Sequence, residues 1–405
     1  MAPTRDISIM GATGSIGRSA LQVIEAANRA APPDAPAFRL VALSAHTDVE
    51  GLAKLARQFR PGMAVIGDAS RAPALREALD GSGIESAGGE AAVVESATRP
   101  CDKLLAAISG SAGLASTLAA VREGTTVALA NKESIVCAGR LILTEARRSG
   151  AAILPVDSEH NAIFQVLQDK RHVEKLTITA SGGPFREHEL DAMERVTPAE
   201  ARAHPNWDMG IKNSIDSATL MNKALEFIEA AYLFDLPAER IDVLVHPQSI
   251  VHGMAHYEDG SVLAQLGVPD MRTPIAHALA WPDRVETEVA RLDLAALSRL
   301  DFQPVDAARF PAVGYAREAS RLGNAAATLL NGANEAAVAA FIAGECGFLD
   351  ISWVVGELLE QFPSTDFAGM RCESLEEVAY LDSRARELAG GLLRARAGTH
   401  RRTTV

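Results

Sequence analysis

A glycine-rich turn near the N-terminus is the feature that most constrains the fold of this chain. A strand pattern over residues 6–10 runs into Gly11-Ala12-Thr13-Gly14-Ser15-Ile16-Gly17, and apolar residues then recur at helical spacing up to Ala27. Glycines between a first strand and a first helix allow a tight turn, close backbone approach to a pyrophosphate and open N–H groups at the helix N-terminus. We therefore predict dinucleotide binding, with a plain glycine turn as the alternative.

Strand and helix patterns alternate after this turn. Short aliphatic runs predict strands at residues 38–44, 63–66, 104–108, 126–130 and 152–156, and helical patterns fall near residues 71–80, 89–98, 114–123 and 135–148. Alternation of this kind predicts a parallel, doubly wound sheet. The fold class is therefore α/β, with a Rossmann-like domain over residues 1–150.

The end of the second predicted strand bears on the choice of dinucleotide. NAD-specific enzymes usually place an acid there, where it binds the ribose hydroxyls. Here the strand ends in Ala45-His46-Thr47, and Asp48 follows one step later. The missing acid favours NADP over NAD, and His46 could face a phosphate or be an ordinary surface residue.

Two further strand ends carry groups suited to chemistry. Asn131-Lys132-Glu133-Ser134 follows one strand, and Val156-Asp157-Ser158-Glu159-His160 ends the next. Ligands of open α/β sheets bind at this edge. In an extended chain Asp157 and Glu159 would point the same way, and two such carboxylates repel unless a cation or a shared proton compensates. The alternatives are a solvated turn and a loop whose acids cap the next helix.

Residues 181–210 contain two more candidate binding loops. Ser181-Gly182-Gly183-Pro184 leaves backbone N–H groups open to an anion. The segment His204-Pro205-Asn206-Trp207-Asp208-Met209-Gly210 places a tryptophan in a polar loop bounded by proline and glycine. We interpret it as a mobile lid whose Trp207 closes over a ligand. A plain turn and a packed loop are the respective alternatives.

The helix predicted next carries a polar face. Asp216 or Ser217 is a plausible N-cap, and Thr219, Asn222 and Glu226 follow on one face with Lys223 at its border. One hypothesis places Ser217, Asn222 and Lys223 on a phosphate and makes Glu226 a third carboxylate. The other is a solvated helix face.

The rest of the domain organisation is predicted from residue 151 onward. Residues 151–285 form an α+β catalytic domain, whose strands at 250–257 and 261–266 make a hairpin and a dimer surface. A connector over residues 286–305 leads to a helical bundle at 306–398 and a tail at 399–405. Asn331-Gly332-Ala333-Asn334-Glu335 is interpreted as a helix contact rather than a site.

Charge and composition narrow the partners. The net charge is −13 without a basic block, which disfavours nucleic acid and anionic membrane, and we find no apolar run as long as a membrane span. The first strand begins too early for a signal peptide, and four scattered cysteines indicate reduced thiols, so we expect a cytoplasmic protein. Only seven lysines occur, and three of them, Lys132, Lys212 and Lys223, lie in the motif regions.

Taken in order, the motifs resemble a known family. The glycine turn at 11–17, Asn131-Lys132-Glu133-Ser134, Val156-Asp157-Ser158-Glu159-His160, Ser181-Gly182-Gly183-Pro184-Phe185, His204-Pro205-Asn206-Trp207, Asp216-Ser217-Ala218-Thr219 with Met221-Asn222-Lys223, and His246-Pro247-Gln248-Ser249 resemble those of the 1-deoxy-D-xylulose 5-phosphate reductoisomerases. The resemblance spans most of residues 6–281. It implies a homodimer that needs NADPH and a divalent cation, Mg²⁺ or Mn²⁺.

The resemblance also implies roles for individual residues. The metal ligands it implies are Asp157, Glu159 and Glu226, which together with Lys132 form the catalytic set. It assigns the substrate to Lys132, Ser158, Glu159, Ser181, His204, Trp207, Ser217, Asn222, Lys223, Glu226 and Met271. It assigns NADPH to Thr13, Gly14, Ser15, Ile16, Ala45, His46, Thr47, Asn131, Glu133 and Gly210, and the lid to Trp207 and Met209. Ala45-His46-Thr47 departs from the family, where many relatives carry Asn, Lys or Arg.

The activity implied is NADPH-dependent rearrangement and reduction of 1-deoxy-D-xylulose 5-phosphate to 2-C-methyl-D-erythritol 4-phosphate, in non-mevalonate isoprenoid precursor biosynthesis. Two other hypotheses are compatible with parts of the sequence. One is a metal-independent NADP dehydrogenase acting on another small phosphorylated substrate. The other is a non-catalytic NADP-sensing protein.

Overall fold

A computed structural model describes residues 3–32, 34–203, 207 and 210–403. Within them the chain divides into two compact units. The first comprises residues 1–134, 142–161 and 270–290, and the second comprises residues 135–141, 162–269 and 291–405. His204, Met209 and the other residues of the lid segment except Trp207 and Gly210 lie outside the described residues.

The strands of the described chain are β1 (Arg5–Met10), β2 (Phe38–Ala45), β3 (Met63–Ile66), β4 (Glu85–Gly88), β5 (Lys103–Ala106), β6 (Thr126–Leu129), β7 (Ile153–Pro155), β8 (Val173–Ala180), β9 (Ile241–Val245), β10 (Val251–Tyr257), β11 (Val262–Leu266) and β12 (Gln303–Pro304).

The α-helices of the same residues are α1 (Ser15–Ala30), α2 (Val49–Phe59), α3 (Ala72–Ala78), α4 (Glu90–Ala97), α5 (Leu114–Arg122), α6 (Lys132–Ser149), α7 (Ser158–Val166), α8 (Leu190–Met193), α9 (Pro198–Arg202), α10 (Ile211–Ala218), α11 (Met221–Phe234), α12 (Arg272–Ala280), α13 (Leu294–Leu297), α14 (Ala312–Leu322), α15 (Asn324–Ile342), α16 (Phe348–Gln361) and α17 (Leu375–Thr403).

The first unit is built on a seven-stranded sheet with the order β4-β3-β2-β1-β5-β6-β7. Every neighbouring pair is parallel, so the carboxyl ends of all seven strands share one edge. Fully buried aliphatic residues such as Ile7, Leu43 and Leu105 fill its strands, which is typical of a sheet covered on both faces. The predicted doubly wound α/β fold is confirmed.

One strand of this sheet is missing from the sequence prediction. Strand β4 has the sequence Glu-Ser-Ala-Gly, which lacks the branched and aromatic residues that mark strands, and it lies half-exposed at the edge of the sheet beside β3. Its formation depends on pairing with β3 rather than on its own residues.

The second unit combines a mixed sheet with helices. Its five strands have the order β11-β10-β8-β9-β12, in which β8 and β9 are parallel and the other neighbours antiparallel. The predicted hairpin is present as β10 and β11. Helices α14 to α17 pack on one another, and α14 also packs on α11. The predicted C-terminal helical region is therefore present.

Helix α15 bears on the expectation that the chain has no membrane span. By length and composition it could cross a membrane, although no such span was predicted. Yet 72% of its most apolar 18-residue window is buried inside the protein, as in the core helix of a soluble protein. Such a single helix is weak evidence for a membrane span.

Candidate active site

The glycine turn lies where β1 ends in the first unit. Gly11 has φ +94°, and a Cβ there would lie 2.5 Å from the carbonyl oxygen of Ala107. A Cβ at Gly17 would lie 2.4 Å from the carbonyl oxygen of Gly11. The turn is therefore closed tightly against strand β5 and against the start of α1. This turn includes Thr13, Gly14, Ser15 and Ile16. Gly14 and Ser15 are exposed at the N-terminus of α1.

The second strand tip is placed as the sequence predicts. Ala45 is buried and ends β2, and His46 and Thr47 are exposed beyond it. Asp48 is the N-cap of α2, where its Oδ1 accepts the Gly51 N–H at 2.8 Å. Its carboxylate is thus engaged in a local structural role.

Asn131 connects two strand ends of the same edge. Its Nδ2 donates to the carbonyl oxygens of Ile108 at 2.5 Å and Gly110 at 2.8 Å, and its Oδ1 accepts the Ser134 N–H at 2.8 Å as the N-cap of α6. Lys132 and Glu133 follow in the first turn of α6, 8% and 5% exposed. This segment is therefore buried, and its alternative as a solvated turn is wrong.

Lys132 and Asp157 meet at the ends of neighbouring strands. Lys132 Nζ lies 2.5 Å from Asp157 Oδ2, and both side chains are largely buried. Asp157 Oδ1 accepts the Ser158 N–H at 2.9 Å, and Ser158 Oγ donates to Glu159 Oε2 at 2.5 Å. The first unit thus brings two carboxylates, a hydroxyl and an ammonium together just beyond the ends of β6 and β7.

The local geometry of Asp157 and Glu159 differs from the prediction. The extended chain assumed there is wrong, because α7 begins at Ser158 and Glu159 lies in its first turn. Residues two apart on a helix do not share a direction. One carboxylate oxygen of Asp157 and one of Glu159 nevertheless lie within 4.8 Å of each other, which is close enough for both to bind one cation.

Asn161, two residues after Glu159, contacts a histidine. Asn161 Nδ2 donates to the Pro155 carbonyl oxygen at 2.8 Å and lies 3.1 Å from His277 Nδ1 on α12. The contact places an acceptor nitrogen at Nδ1, as in neutral imidazole. Burial lowers the pKa of His277 to about 4, and the positive charges of Arg284 and Lys103 add to the effect. His277 is therefore neutral at pH 7.

Met271 precedes the same helix as its N-cap residue.

We predict that this histidine makes the protein sensitive to acid. Its pKa in the folded chain, about 4, is below the 6.5 of an unperturbed histidine, so the unfolded chain binds more protons between these values. The free energy of unfolding should fall as the pH drops through this window, by about 1 kcal/mol between pH 6.5 and 5 after allowance for solvent screening. Urea titrations of wild type and His277→Gln at both pH values check this. An equal loss in the variant would assign the acid sensitivity to other groups.

In the second unit, the serine–glycine loop packs on α10. Gly182 and Gly183 have φ +85° and +68°, and a Cβ at Gly183 would lie 2.7 Å from the carbonyl oxygen of Ser217. Ser181 Oγ accepts the Gly183 N–H at 3.2 Å. Glycine at 183 therefore allows the loop that begins at Ser181 to approach the last turn of α10, which carries Ser217.

The predicted N-cap at Asp216 or Ser217 is wrong. Both residues lie inside α10, and α11 begins only at Met221. The break is made by Leu220, which has φ +57° although it is not a glycine. Asp216 is fully buried and engaged on two sides, by Asn334 Nδ2 at 2.8 Å and by Lys212 Nζ at 3.0 Å. Asn334 is thus a helix contact, as predicted for its segment.

The polar face of α11 is buried. Lys223 is 3% and Glu226 1% exposed, so the alternative of a solvated face is wrong. The Lys223 ammonium and the Asn222 amide both contact the Glu226 carboxylate. A buried carboxylate needs such partners, because removing a charge from water is strongly unfavourable.

The three lysines singled out by the sequence share one property. Lys132, Lys212 and Lys223 each pair with a carboxylate of their own unit, namely those of Asp157, Asp216 and Glu226. Asp216 and Lys212 were not predicted as a pair, because Asp216 had been interpreted as a cap. The i to i+4 spacing of Lys212 and Asp216 is the signal that could have revealed it.

Trp207 is next to a histidine that the sequence reasoning missed. Its ring centroid lies 6.2 Å from that of His252 on β10, with the rings tilted by 58°. His252 is 6% exposed, and its Nε2 lies 3.2 Å from the Gly267 carbonyl oxygen. Gly210 is the exposed residue immediately before α10. Whether Trp207 closes over a ligand stays a prediction.

Together these features define a class of protein: a dinucleotide-fold oxidoreductase with a separate unit that carries buried Ser, Asn, Lys and Glu side chains. Three family profiles match the chain. They are 1-deoxy-D-xylulose 5-phosphate reductoisomerase over residues 7–139, its C-terminal domain over 153–234, and the DXP reductoisomerase C-terminal domain over 266–388. The chain belongs to the 1-deoxy-D-xylulose 5-phosphate reductoisomerase family.

Individual relatives are similar to this chain over nearly its whole length. The chain is 52% identical over 397 residues to the 1-deoxy-D-xylulose 5-phosphate reductoisomerase of Rhodospirillum centenum, covering 98% of this chain and 96% of the relative. It is 50% identical to that of Caulobacter vibrioides, with 95% and 96% covered. The solved Zymomonas mobilis enzyme in complex with NADPH has a TM-score of 0.88 at 47% identity, covering 97% and 99%. A reductoisomerase solved with NADPH, fosmidomycin and magnesium also gives 0.88, at 41% identity, with 96% and 98% covered.

Proposed function

We propose that this protein catalyses the NADPH-dependent rearrangement and reduction of 1-deoxy-D-xylulose 5-phosphate to 2-C-methyl-D-erythritol 4-phosphate. The observation that carries the proposal is the 52% identity to a reductoisomerase over 397 residues. The solved relative with NADPH, fosmidomycin and magnesium supports the cofactor and metal requirement. The product would serve non-mevalonate isoprenoid precursor biosynthesis.

NADPH fits the turn of the first unit. The space that a Cβ would fill at Gly11 and Gly17 is occupied by backbone, and Gly14 and Ser15 stay exposed at the N-terminus of a 16-residue helix. Such a terminus attracts a pyrophosphate. We assign the cofactor to residues 13–16, Ala45, His46, Thr47, Asn131, Glu133 and Gly210.

A divalent cation fits the carboxylates. We assign it to Asp157, Glu159 and Glu226, whose hard oxygen donors suit Mg²⁺ or Mn²⁺. When bound, the cation supplies Lewis acidity toward the carbonyl and hydroxyl oxygens of the substrate, and NADPH supplies a hydride. Lys132 Nζ lies 2.5 Å from Asp157 Oδ2. It is therefore placed to donate a hydrogen bond to a substrate oxygen bound near that carboxylate.

We assign the substrate phosphate to Ser181, Ser217, Asn222 and Lys223, as well as His204. We assign the rest of the substrate to Ser158 and Met271. Binding at the remote phosphate orients the carbons that react. Closure of Trp207 over the site would exclude water.

We expect turnover to need all three components. Purified protein should oxidise NADPH, followed at 340 nm, only when the keto-sugar phosphate and Mg²⁺ or Mn²⁺ are both present. Adding EDTA should stop the reaction, and excess Mg²⁺ should restore it. Absence of turnover under these conditions would refute the proposal, and turnover that persists in EDTA would favour a metal-independent dehydrogenase.

We also propose that the protein is a cytoplasmic homodimer that uses the β10–β11 hairpin as its dimer surface. Strand β11 is at the edge of its sheet, and it carries Val262, which is 49% exposed. Edge strands with apolar residues readily pair with another chain. Light scattering should give a mass near twice 42.8 kDa for the wild type and a smaller mass for Val262→Lys. A monomeric wild type would contradict this.

A further inference from the structure

The tip of β2 leaves one question about the proposed cofactor. NADPH differs from NADH by a phosphate on the adenosine ribose, and a Rossmann-like fold meets this group near the end of its second strand. Here that end is Ala45-His46-Thr47, which contains neither Lys nor Arg. The β2 tip itself therefore carries no permanent positive charge.

The carboxylate of Asp48, one step beyond this tip, would oppose a phosphate. Asp48 caps α2 through its Oδ1, which accepts the Gly51 N–H at 2.8 Å, and its side chain is 44% exposed. A free acid here would favour a ribose with an unmodified hydroxyl, and therefore NADH. A cation that offsets the charge of Asp48 would therefore favour NADPH.

Arg18 is placed to do this. It lies in the first turns of α1, and its Nε donates to the Thr13 carbonyl oxygen at 2.8 Å, which ties the guanidinium to the glycine turn. One of its terminal nitrogens lies 3.8 Å from Asp48 Oδ2. The side chain is 56% exposed, so it remains open to a ligand. The guanidinium thus bridges the turn and the β2 tip.

Its position is otherwise unfavourable. A cation near a helix N-terminus opposes the helix dipole, and the first turn of α1 contains no acidic residue to compensate. The long ion pair with Asp48 is exposed and contributes little stability. A planar guanidinium with two directed donors, however, matches phosphate oxygens well.

We propose that Arg18 determines the preference for NADPH by binding the ribose 2′-phosphate and offsetting the charge of Asp48. This inference rests on the proposed function only in taking NADPH as the cofactor. It assigns cofactor specificity to the start of α1 rather than to the β2 tip.

The test compares the binding of two cofactors. Dissociation constants of NADPH and NADH are measured by cofactor fluorescence on the full-length protein, without substrate or metal. In Arg18→Gln the constant for NADPH should rise at least about ten-fold, as for a lost charge-assisted hydrogen bond, while that for NADH changes less than about three-fold. In Asp48→Asn, which keeps the helix cap, NADPH should bind a few-fold tighter.

Arg39→Gln is the matched control. Arg39 is an exposed arginine near the other end of β2, and its guanidinium bonds Asp6 at 2.7 Å. It should leave both constants unchanged. An unchanged ratio of the two constants in Arg18→Gln would overturn the inference, and so would an equal loss of both cofactors, because that marks a structural role in the turn. A wild type that binds neither cofactor would instead refute the proposed function.

Discussion

Replacing Glu226 with glutamine should abolish turnover while the protein still folds. The substitution removes the charge of one of the three proposed metal ligands and keeps its shape. A cation at such a site contributes several kcal/mol to the transition state, so kcat should fall about 10³-fold or more. The residual rate should require higher Mg²⁺ concentrations. Turnover measured against a Mg²⁺ series checks both effects.

The same substitution has a structural cost that must be separated from its effect on catalysis. Glu226 is 1% exposed and contacts the Lys223 ammonium and the Asn222 amide. Glutamine keeps an oxygen for Lys223 but leaves the buried ammonium without its counter-charge, which we expect to destabilise the protein by about 1–3 kcal/mol. Thermal unfolding monitors this loss.

Glu335→Gln is the control for stability. Glu335 is a largely buried carboxylate on α15 that pairs with Arg386, and it lies outside the proposed site. Its loss should lower stability by a comparable amount without changing the Mg²⁺ dependence of turnover. If Glu226→Gln kept full activity, the metal-independent dehydrogenase would become the better hypothesis.

Much of the first unit could be predicted because its signals are local. The glycine turn, the buried strands and the strand ends at Asn131 and Asp157 depend on sequence that is close in the chain. The topology of a parallel sheet then brings these ends to one edge. Strand β4 escaped prediction because its pairing with β3, rather than its composition, makes it a strand.

The second unit was harder to predict for a different reason. Leu220 separates α10 from α11. It has a left-handed backbone conformation, which is uncommon for a residue with a side chain. Nothing in the local sequence marks this break, so Asp216 was interpreted as a cap. Likewise, the burial of Lys223 and Glu226 depends on the elements that cover α11, and an amphipathic pattern cannot reveal them.

The lysine pairs explain how such a polar site tolerates burial. Each carboxylate of Asp157, Asp216 and Glu226 is matched by a lysine of its own unit. Neutral pairs of this kind reduce the unfavourable free energy of burying charge before any ligand binds. These pairs engage three of the seven lysines of the chain.

Replacing Gly17 with alanine should both destabilise the protein and prevent dinucleotide binding. The added Cβ would lie 2.4 Å from the Gly11 carbonyl oxygen and 2.6 Å from the Ala12 Cα. These are backbone atoms, which cannot move aside without displacing the turn or α1. Overpacking of this kind costs about 1–3 kcal/mol or more.

The displacement should have a second effect on the cofactor. The Gly14 N–H is donated to the Gly11 carbonyl oxygen, and the N–H groups that follow it, from Ser15 on, can face a pyrophosphate only while α1 starts directly against the turn. We expect the dissociation constant of NADPH to rise at least about 100-fold, because several hydrogen bonds to a charged group are lost together. Fluorescence titration and thermal unfolding of the same preparation measure both consequences.

Gly14→Ala separates a backbone clash from the simple loss of a glycine. Gly14 has φ −73°, and a Cβ there would meet only the Gly11 carbonyl oxygen at 3.5 Å, an ordinary contact. As an N-cap change it should cost at most about 1 kcal/mol. If Gly17→Ala were as stable as Gly14→Ala, the close approach of α1 to the turn would not be what this glycine provides.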